Sequence, residues 1–194
     1  MLRTLVLASN NQGKLKEFSD MLAPLGFDVR PQGEFNVAEA EEPHPTFIEN
    51  ALAKARHASC ITGLPALADD SGICANALGG APGVFSARYA GEPKSDARNN
   101  EKLISELESQ TDKSVYYYCA LVFVRHAEDP QPVIAEGRWD GEIVAVPRGQ
   151  GGFGYDPYFW LKELGKTSAE LSAEDKNSLS HRGQALRALI QKLK

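Results

Sequence analysis

An α/β fold with a mixed β-sheet and flanking helices is predicted from three features of the sequence. Short apolar runs alternate with helical stripes of apolar residues along the first part of the chain. Two longer runs rich in β-branched and aromatic residues, 115–125 and 133–146, are separated by a turn signal and are expected to pair as antiparallel strands. The length of 194 residues suits one domain, residues 1–194, with two lobes that share one sheet.

The first part of the chain predicts three strands and two helices, each ended by a polar or glycine signal. The polar turn Ser9–Gly13 ends the first apolar run, and Gly26 and Gly63 end the two helical stripes. The segment Thr46–Glu49 is a capping box that starts the second helix. The predicted elements are strand Leu2–Ala8, a helix with Leu15, Phe18, Leu22 and Leu25 on one stripe, strand Phe27–Arg30, the acidic loop Glu34–Pro45, a helix to Thr62, and strand Pro65–Ala68 leading into Asp69–Gly72.

The second part of the chain begins with short strand pieces and turns rich in glycine and proline, from Ile73 to Ala90. A turn signal at Glu128–Pro130 separates the two long strands that follow. The predicted elements are a helix from Ser95 to Ser109, strand Val115–Arg125, one or two strands within Val133–Val146, the loop Gly149–Asp156, an aromatic patch Tyr158–Trp160, and a last helix capped within Ser172–Asp175 whose Leu186, Leu189, Ile190 and Leu193 pack inward.

Composition excludes several classes of protein. The net charge of −5 disfavours a protein that coats nucleic acid, although a few local cations could still hold a small anionic substrate. Three cysteines at distant positions, with no Cys-x-x-Cys pair, disfavour a zinc site or a disulfide framework and suit a reducing cytosol. The first apolar run is too short for a signal peptide, and no run approaches about 18 apolar residues. We therefore expect a soluble, cytoplasmic protein that binds neither membrane nor nucleic acid.

The turn from Ser9 to Lys14 joins a predicted strand to a predicted helix. Free backbone N–H groups at a helix N-terminus attract anions. Lys14 and Lys16 lie in the first helical turn, where a cation is unfavourable unless an anion binds there. The turn therefore favours a phosphate site, and the alternative is a solvated helix end with surface lysines. The spacing is not that of a Walker loop.

Carboxylates form two groups, one in the acidic loop and one after the third strand. Glu39, Glu41 and Glu42 lie in the loop, and Asp69 and Asp70 follow the strand directly. Mg²⁺ is typically held by one or two carboxylates together with substrate phosphates and water, so both groups are candidates for a metal site. Strand alternation sends the two aspartates to opposite sides, so only one is expected to face the site. The alternatives are a solvated acidic loop and an Asx turn closed by Gly72.

The loop Gly149–Gly154 matches Gly-x-Gly-x-x-Gly, but no helix start follows it, which rejects a dinucleotide fingerprint. It could instead bring Phe153 and Tyr155 against a flat base, with Asp156 as a hydrogen-bond acceptor; a glycine turn beside core aromatics is the alternative. Lys176, Ser180, His181 and Arg182 lie around the start of the predicted last helix, where a structural or solvated role is the alternative for His181. The guanidinium of Arg182 suits a phosphate or a purine carbonyl, and Gly183 permits a close approach.

Seven stretches together resemble the inosine triphosphate pyrophosphatase family, whose members hydrolyse non-standard purine nucleoside triphosphates. They occur in order along nearly the whole chain. The stretches are Ser9-x-Asn11-x-x-Lys14, Thr46–Ala51, Ala68–Gly72, Gly79–Gly83, Ser86–Tyr89, Gly151–Pro157 and Ser180–Gly183. The resemblance implies an elongated mixed sheet with two lobes around a substrate cleft, a homodimer, and Mg²⁺ as cofactor.

Carried over by position, the resemblance also implies roles for individual residues. Asp70 would be the proton acceptor, and Glu41 and Asp70 would bind the metal. The substrate-binding residues would be Ser9, Asn10, Asn11, Gln12, Gly13 and Lys14 at the phosphates, together with Ser71, Phe153, Gly154, Tyr155, Asp156, Lys176, His181 and Arg182. Asn10 replaces a smaller residue found in many relatives, and Pro43-His44-Pro45 stiffens the loop after Glu41.

The activity implied is cleavage of ITP, dITP or XTP to the monophosphate and pyrophosphate, which clears such nucleotides from the pool. Donors facing a 6-oxo group would favour these bases over adenine, with His181 and Arg182 the best candidates. A nucleotide-binding regulatory module that does not cleave is the rival hypothesis, and Asp70 argues against it because a carboxylate beside phosphates disfavours simple binding.

Overall fold

Seven strands form one mixed sheet in the computed structural model, which describes residues 2–194. The strands are β1 (Arg3–Leu7), β2 (Phe27–Pro31), β3 (Ala66–Ala75), β4 (Ser114–Val124), β5 (Val133–Ile143), β6 (Phe159–Leu161) and β7 (Lys166–Thr167). Their order across the sheet is β2-β1-β3-β4-β5-β6-β7. Strand β1 is parallel to both β2 and β3, whereas β6 is antiparallel to both β5 and β7, which confirms the predicted mixed α/β sheet.

Five α-helices lie within residues 2–194 and flank the strands, and a capping side chain precedes each of them. The helices are α1 (Gln12–Leu22), α2 (Phe47–Thr62), α3 (Asp96–Glu108), α4 (Ala173–Leu179) and α5 (His181–Leu193). The first four are preceded by Asn11, Thr46, Ser95 and Ser172, whose side chains accept hydrogen bonds from first-turn N–H groups. Within residues 2–194, none of these helices has the length and apolarity needed to cross a membrane.

The chain divides into two compact units, and β3, β4 and β5 each contribute residues to both. The first unit contains residues 1–70, 119–136 and 185–194. The second unit contains residues 71–118 and 137–184. The division falls between Asp70 and Ser71, so the two candidate site residues that adjoin in sequence belong to different units.

Strand alternation divides the core of the first unit into two apolar layers. Leu5 and Leu7 of β1 pack in one cluster with Phe18 and Leu22 of α1, and Leu67 of β3 joins them. The alternating residues face the other way: Val6 of β1, Ala8 directly after that strand, and two alanines of β3 pack with α2. The alanines are Ala66 and Ala68 of β3 and Ala51, Ala55 and Ala58 of α2. The period of two therefore assigns odd-numbered positions of β3 to the α1 side and even-numbered positions to the α2 side.

The core of the second unit is rich in aromatic residues. Tyr117 of β4, Trp139 of β5 and Phe159 of β6 form one cluster, in which the Tyr117 and Phe159 ring centroids are 4.6 Å apart. Leu103 and Leu107 of α3 are buried in the same cluster. The predicted aromatic patch at 158–160 therefore consists of Tyr158 and the first two residues of strand β6.

Several predicted element boundaries differ from the structure. The strand predicted to end at Ala68 continues to Ala75, because lysine partners compensate the carboxylates of Asp69 and Asp70 and let the strand run on through buried positions. The single predicted last helix is two helices, since Ser180 has an extended backbone between them. The predicted strand region 133–146 is one strand, which ends at Ile143.

A substitution at Leu67 tests whether this residue is part of the buried layer on the α1 side. Leu67 is fully buried, so we expect Leu67→Ala to lower the free energy of unfolding by about 2–5 kcal/mol. Leu164 is 48% exposed, and the same substitution there should change stability by about 0.5 kcal/mol or less. Urea denaturation followed by circular dichroism measures both, and equal losses would contradict the layer assignment.

Candidate functional site

The turn between β1 and α1 carries the first six candidate residues, Ser9 to Lys14. Asn11 caps the helix, since its Oδ1 accepts a hydrogen bond from the Lys14 N–H at 3.0 Å. Ser9 Oγ accepts one from the Asn11 N–H at 3.2 Å. Asn10 Oδ1 accepts one from the Gly33 N–H at 2.8 Å, which ties the turn to the segment after β2. The polar side chains of the turn therefore fix its backbone.

The start of α1 has the electrostatic character of an anion site. No acidic residue lies in its first turn, and Gln12 and Gly13 are exposed. The positive end of the helix dipole and the Lys14 side chain both favour a negative group there. These features fit the phosphate contact that the sequence predicts for residues 9–14.

Asp69 and Asp70 lie on opposite faces of β3, as strand alternation predicts. Asp69 follows Leu67 on the α1 side, and its Oδ1 accepts a hydrogen bond from Lys14 Nζ at 2.9 Å. Asp70 follows Ala68 on the α2 side, and its Oδ1 lies 3.4 Å from Nζ of Lys54. Each buried carboxylate thus has a lysine from a different helix as its partner.

Glu42, rather than Glu41, is the carboxylate of the acidic loop that joins this cluster. Glu42 Oε1 accepts a hydrogen bond from Lys54 Nζ at 2.5 Å, so one ammonium group bridges Glu42 and Asp70. Glu41 is exposed to solvent. Glu42 is thus the acidic-loop carboxylate that contacts Lys54, and the role of Glu41 as a metal ligand stays a prediction from the resemblance.

Burial and neighbouring charges shift the pKa values of both partners. Burial raises the pKa of the Asp70 carboxyl above its usual range; Lys54 opposes this shift, whereas Glu42 adds to it. Burial alone would lower the pKa of the Lys54 ammonium, but the attraction of Asp70, Asp69 and Glu42 more than offsets it and the net pKa is raised. A carboxyl whose pKa is moved toward neutrality is better matched to accepting a proton from water.

The donor chemistry around Asp70 fits a divalent cation that is held partly by substrate. Asp70 Oδ2 is buried and accepts no hydrogen bond from the described residues. Among residues 2–194, no group of three or more histidine, cysteine or acidic side chains could enclose a metal on its own. Mg²⁺ usually needs only one or two carboxylates when phosphates and water complete its shell, so Glu42 and Asp70 are compatible with it.

Asp156 organises the candidate residues of the loop 149–156 in the second unit. This carboxylate is 3% exposed. It accepts hydrogen bonds from Lys176 Nζ at 2.5 Å, Ser168 Oγ at 2.8 Å and the Phe153 N–H at 2.8 Å. Its charge is therefore engaged by the protein, where the sequence had suggested an acceptor for substrate.

Gly152 makes this arrangement possible. Its φ of +75° lies in the left-handed region, and a Cβ atom there would lie 2.1 Å from Asp156 Oδ2 and 2.8 Å from Lys176 Nζ. A glycine at this position therefore permits both the turn and the ion pair beneath it.

The two aromatic residues of the loop occupy different environments. Phe153 is 64% exposed, and Lys176 Nζ lies 5.4 Å from its ring centroid. Tyr155 is buried in the core of the second unit, and its hydroxyl donates to the Ser86 carbonyl at 2.8 Å. The exposed Phe153 ring is thus available to stack on a flat base. The Tyr155 ring instead packs in the core, which is the alternative that the sequence left open. Gly154 connects them, and its N–H donates to Asp96 Oδ2 at 2.9 Å.

His181 and Arg182 are the first residues of α5, which begins directly after Ser180. The Ser180 side chain accepts a hydrogen bond from the Gly183 N–H at 3.2 Å and so caps the helix. The His181 ring stacks on Tyr117 with centroids 4.7 Å apart and an interplanar angle of 9°. Arg182 Nη2 lies 3.4 Å from Ser71 Oγ. The second unit therefore brings Ser71 to Arg182 and brings Phe153, Asp156 and Lys176 to one another. The hydroxyl of Tyr117, the residue whose ring stacks on His181, also donates to Asp156 Oδ1 at 3.4 Å.

The structure adds three residues, Lys54, Asn50 and Tyr117, to the candidates predicted from the sequence, and it gives Glu42 of the predicted acidic group a contact with Lys54. Lys54 and Asn50 lie four residues apart on α2, Glu42 lies in the acidic loop, and Tyr117 supports His181. A lysine and an asparagine on the polar stripe of a helix resemble solvated residues in sequence. Their spacing of four residues, directly after the capping box, is the feature of the sequence that could have identified them. It predicts that both side chains lie on one face of α2.

Comparison with known proteins identifies the family and supports the fold. A dITP/XTP pyrophosphatase of Ralstonia nicotianae is 66% identical over 196 aligned residues that cover 100% of this chain and 98% of the relative. A second, from Nitrosomonas europaea, is 66% identical and covers 99% of this chain and 95% of its own. The structure of a HAM1 protein from Coxiella burnetii is 48% identical, with a TM-score of 0.96 over 100% of this chain and 98% of the other. The model of the Ham1 family matches residues 5–192, and the chain belongs to that family.

Proposed function

We propose that this protein hydrolyses non-standard purine nucleoside triphosphates, namely ITP, dITP and XTP, to the monophosphate and pyrophosphate, and so clears them from the nucleotide pool. The observation that carries the proposal is the cluster of Asp70, Lys54 and Glu42 in the same unit as the α1 turn. Relatives at 66% identity over nearly their whole length bear the name dITP/XTP pyrophosphatase, which supports this substrate class.

In the proposed mechanism, Asp70 accepts a proton from the water that attacks the α-phosphorus. Its burial and its raised pKa support this role, because a base is most effective when its pKa approaches the working pH. The oxygen of that water forms a bond to phosphorus, the bond to the bridging oxygen breaks, and pyrophosphate leaves. Lys14 and Lys54 would stabilise the negative charge on the phosphate oxygens.

We propose Mg²⁺ as the cofactor, with Glu42 and Asp70 as the protein ligands. When bound, the ion would neutralise charge on the triphosphate. The residues themselves supply what such a site needs: a buried carboxylate oxygen without a donor, a second carboxylate, and two lysines that limit the excess negative charge. Glu41 remains the position that the resemblance implies, and its exposure argues for Glu42 in its place.

Base recognition is proposed for the candidate residues of the second unit. Arg182 has hydrogen-bond donors that suit a 6-oxo purine, and Ser71 lies within reach of it. His181 is held flat against Tyr117, so only one face of its ring and its edge can meet a ligand. Phe153 offers an exposed ring for stacking, and the ion pair between Asp156 and Lys176 holds the loop that carries it.

We also propose that the protein works as a homodimer in the cytoplasm. The family resemblance supports the dimer. The three cysteines form no disulfide, which is in keeping with a reducing compartment.

Product analysis tests the proposed reaction directly. With ITP as substrate, we expect chromatography to show IMP and pyrophosphate formed in equal amounts, with no IDP, because water attacks the α-phosphorus. ATP serves as the comparison and should turn over far more slowly. Accumulation of IDP and phosphate would contradict the mechanism, and tight binding of ITP without any product would favour the regulatory module instead.

Replacing Asp70 by asparagine should remove the proposed base and leave the side-chain volume almost unchanged. We expect kcat for ITP to fall by about 10²-fold or more. Thermal denaturation serves as the control and should show a cooperative transition in the variant. An active Asp70→Asn enzyme would show that another group accepts the proton.

A matched pair of variants tests which glutamate of the acidic loop serves the metal. Glu42→Gln should raise the Mg²⁺ concentration needed for half-maximal activity by about 10-fold or more, because it neutralises the carboxylate that shares Lys54 with Asp70. Glu41→Gln removes the same charge from an exposed neighbour and should leave that concentration unchanged. The opposite pattern would restore Glu41 as the ligand.

A further inference from the structure

Phe153 is an exposed aromatic side chain, and its position depends on the backbone that carries it. The side chain is 64% exposed, and Lys176 Nζ lies 5.4 Å from its ring centroid. Exposure of this extent leaves little of the ring packed against the protein. The direction in which its Cβ atom points is set by the two planar peptide groups on either side of its Cα atom. The contacts of these two peptide groups therefore decide where the ring is presented.

Asp156 holds both of these peptide groups from within the loop. The Phe153 N–H, which belongs to the preceding peptide group, donates to Asp156 Oδ2 at 2.8 Å. The Phe153 carbonyl, which belongs to the following peptide group, accepts a hydrogen bond from the Asp156 N–H at 3.3 Å. These bonds close a short turn and fix the shape of the loop on the side of Asp156.

The start of α3 holds the same stretch of backbone from outside the loop, at Gly154. The Gly154 N–H donates to Asp96 Oδ2 at 2.9 Å, and the Gly154 carbonyl accepts a hydrogen bond from Asn100 Nδ2 at 2.9 Å. Asp96 and Asn100 are four residues apart on α3, so their side chains lie on one face of the helix. Because the Gly154 N–H and the Phe153 carbonyl belong to one peptide group, this helix face fixes the peptide group that follows Phe153 and the next one.

Asn100 suits this position because its amide has two hydrogens and meets two carbonyl oxygens. Besides the Gly154 carbonyl, its Nδ2 donates to the Asp96 carbonyl at 2.8 Å. The side chain is 5% exposed, and its Oδ1 accepts no hydrogen bond from residues 2–194. An aliphatic residue would deprive the Gly154 carbonyl of this donor, and an aspartate would turn negative oxygens toward the two carbonyls. The donors of the amide thus join Gly154 to the helix.

We infer that Asp96 and Asn100 are positioning residues for base recognition. They hold Gly154 against the start of α3, and this hold directs the adjacent ring of Phe153 toward the base. The inference rests on the proposed function for the stacking role of Phe153, whereas the hold on Gly154 is a property of the folded second unit and can be measured without substrate.

Asn99 provides a matched control because it is the neighbour of Asn100 on the same helix. It is 1% exposed, its Oδ1 accepts a hydrogen bond from the Ala90 N–H at 2.8 Å, and its Nδ2 donates to the Ala87 carbonyl at 3.1 Å. Its amide therefore also holds a segment of backbone to the start of α3, but both of these bonds are to the segment before the helix and not to the loop 149–156. A general loss of stability can thus be separated from a loss of loop position.

NMR relaxation of the isotope-labelled full chain measures the hold on Gly154 without substrate. The order parameter of the Gly154 amide should be about 0.85 in the wild type, as for rigid backbone, and below about 0.6 in Asn100→Ala. Asn99→Ala should leave it at the wild-type value, although thermal denaturation should show a similar loss of stability in the two variants. An unchanged order parameter in Asn100→Ala would overturn the inference.

Steady-state kinetics with ITP and Mg²⁺ measures the consequence for base binding. Asn100→Ala should raise KM by about 5- to 10-fold and change kcat by less than about threefold, because stacking on the base contributes to binding. In a Phe153→Ala chain the same substitution should change KM by less than about twofold, since the ring that Asn100 positions is absent. Asn99→Ala should keep KM within about twofold of the wild type. A KM that Asn100→Ala leaves unchanged, or raises equally in both chains, would overturn the inference.

The two readouts separate the inference from the proposed function. A wild-type protein that leaves ITP intact would refute the proposed function, and the order parameters would still decide whether α3 holds Gly154. If Asn100→Ala fails to fold, the exposed Asp96 takes its place in both measurements. Asp96→Ala removes the acceptor for the Gly154 N–H and should behave as described for Asn100→Ala, whereas Asp96→Asn retains an acceptor and should behave like the wild type.

Discussion

The first unit depends on one constraint, the burial of two adjacent carboxylates within a continuous strand. Asp69 and Asp70 are 3% and 9% exposed, and two unpaired charges at such positions would be costly. Alternation along β3 sends them to opposite faces, where Lys14 of α1 and Lys54 of α2 meet them separately. The same pairing places the two lysines, and the start of α1, beside the strand that carries the proposed base.

Much of this arrangement could be predicted from sequence, because it follows from local rules. The period of two along β3 separated the aspartates, the polar turn after β1 predicted the helix start, and the capping box located α2 correctly. Pairing across the chain could not be predicted in the same way. Lys54 is separated from Glu42 by 12 positions and from Asp70 by 16, and no periodicity within either segment specifies which carboxylate it meets.

In the second unit, the loop 149–156 could be recognised from the sequence, but the hydrogen bonds within it could not. The sequence predicts that the loop 149–156 contacts a ligand. In the structure, the Asp156 carboxylate accepts hydrogen bonds from Lys176, Ser168 and the loop backbone. A ligand contact and a loop-holding contact use the same acidic and aromatic side chains, so the sequence pattern alone predicts both. Asp156 and Tyr155 are buried and hold the loop, and their predicted contact with substrate stays a prediction.

The glutamate that contacts Lys54 is Glu42, one residue after the Glu41 that the resemblance implies as a metal ligand. Consecutive residues of an irregular loop point in different directions, so a resemblance that specifies a carboxylate in this segment does not specify which of two neighbours faces Asp70. The contact from Lys54 and the two hydrogen bonds between the Asn50 amide and the His44 backbone are both made by one face of α2, and both act on the segment from Glu42 to His44. Since a helix face is rigid over one turn, these two contacts fix Glu42 relative to Asp70, and Glu41 remains on the solvent side of the loop.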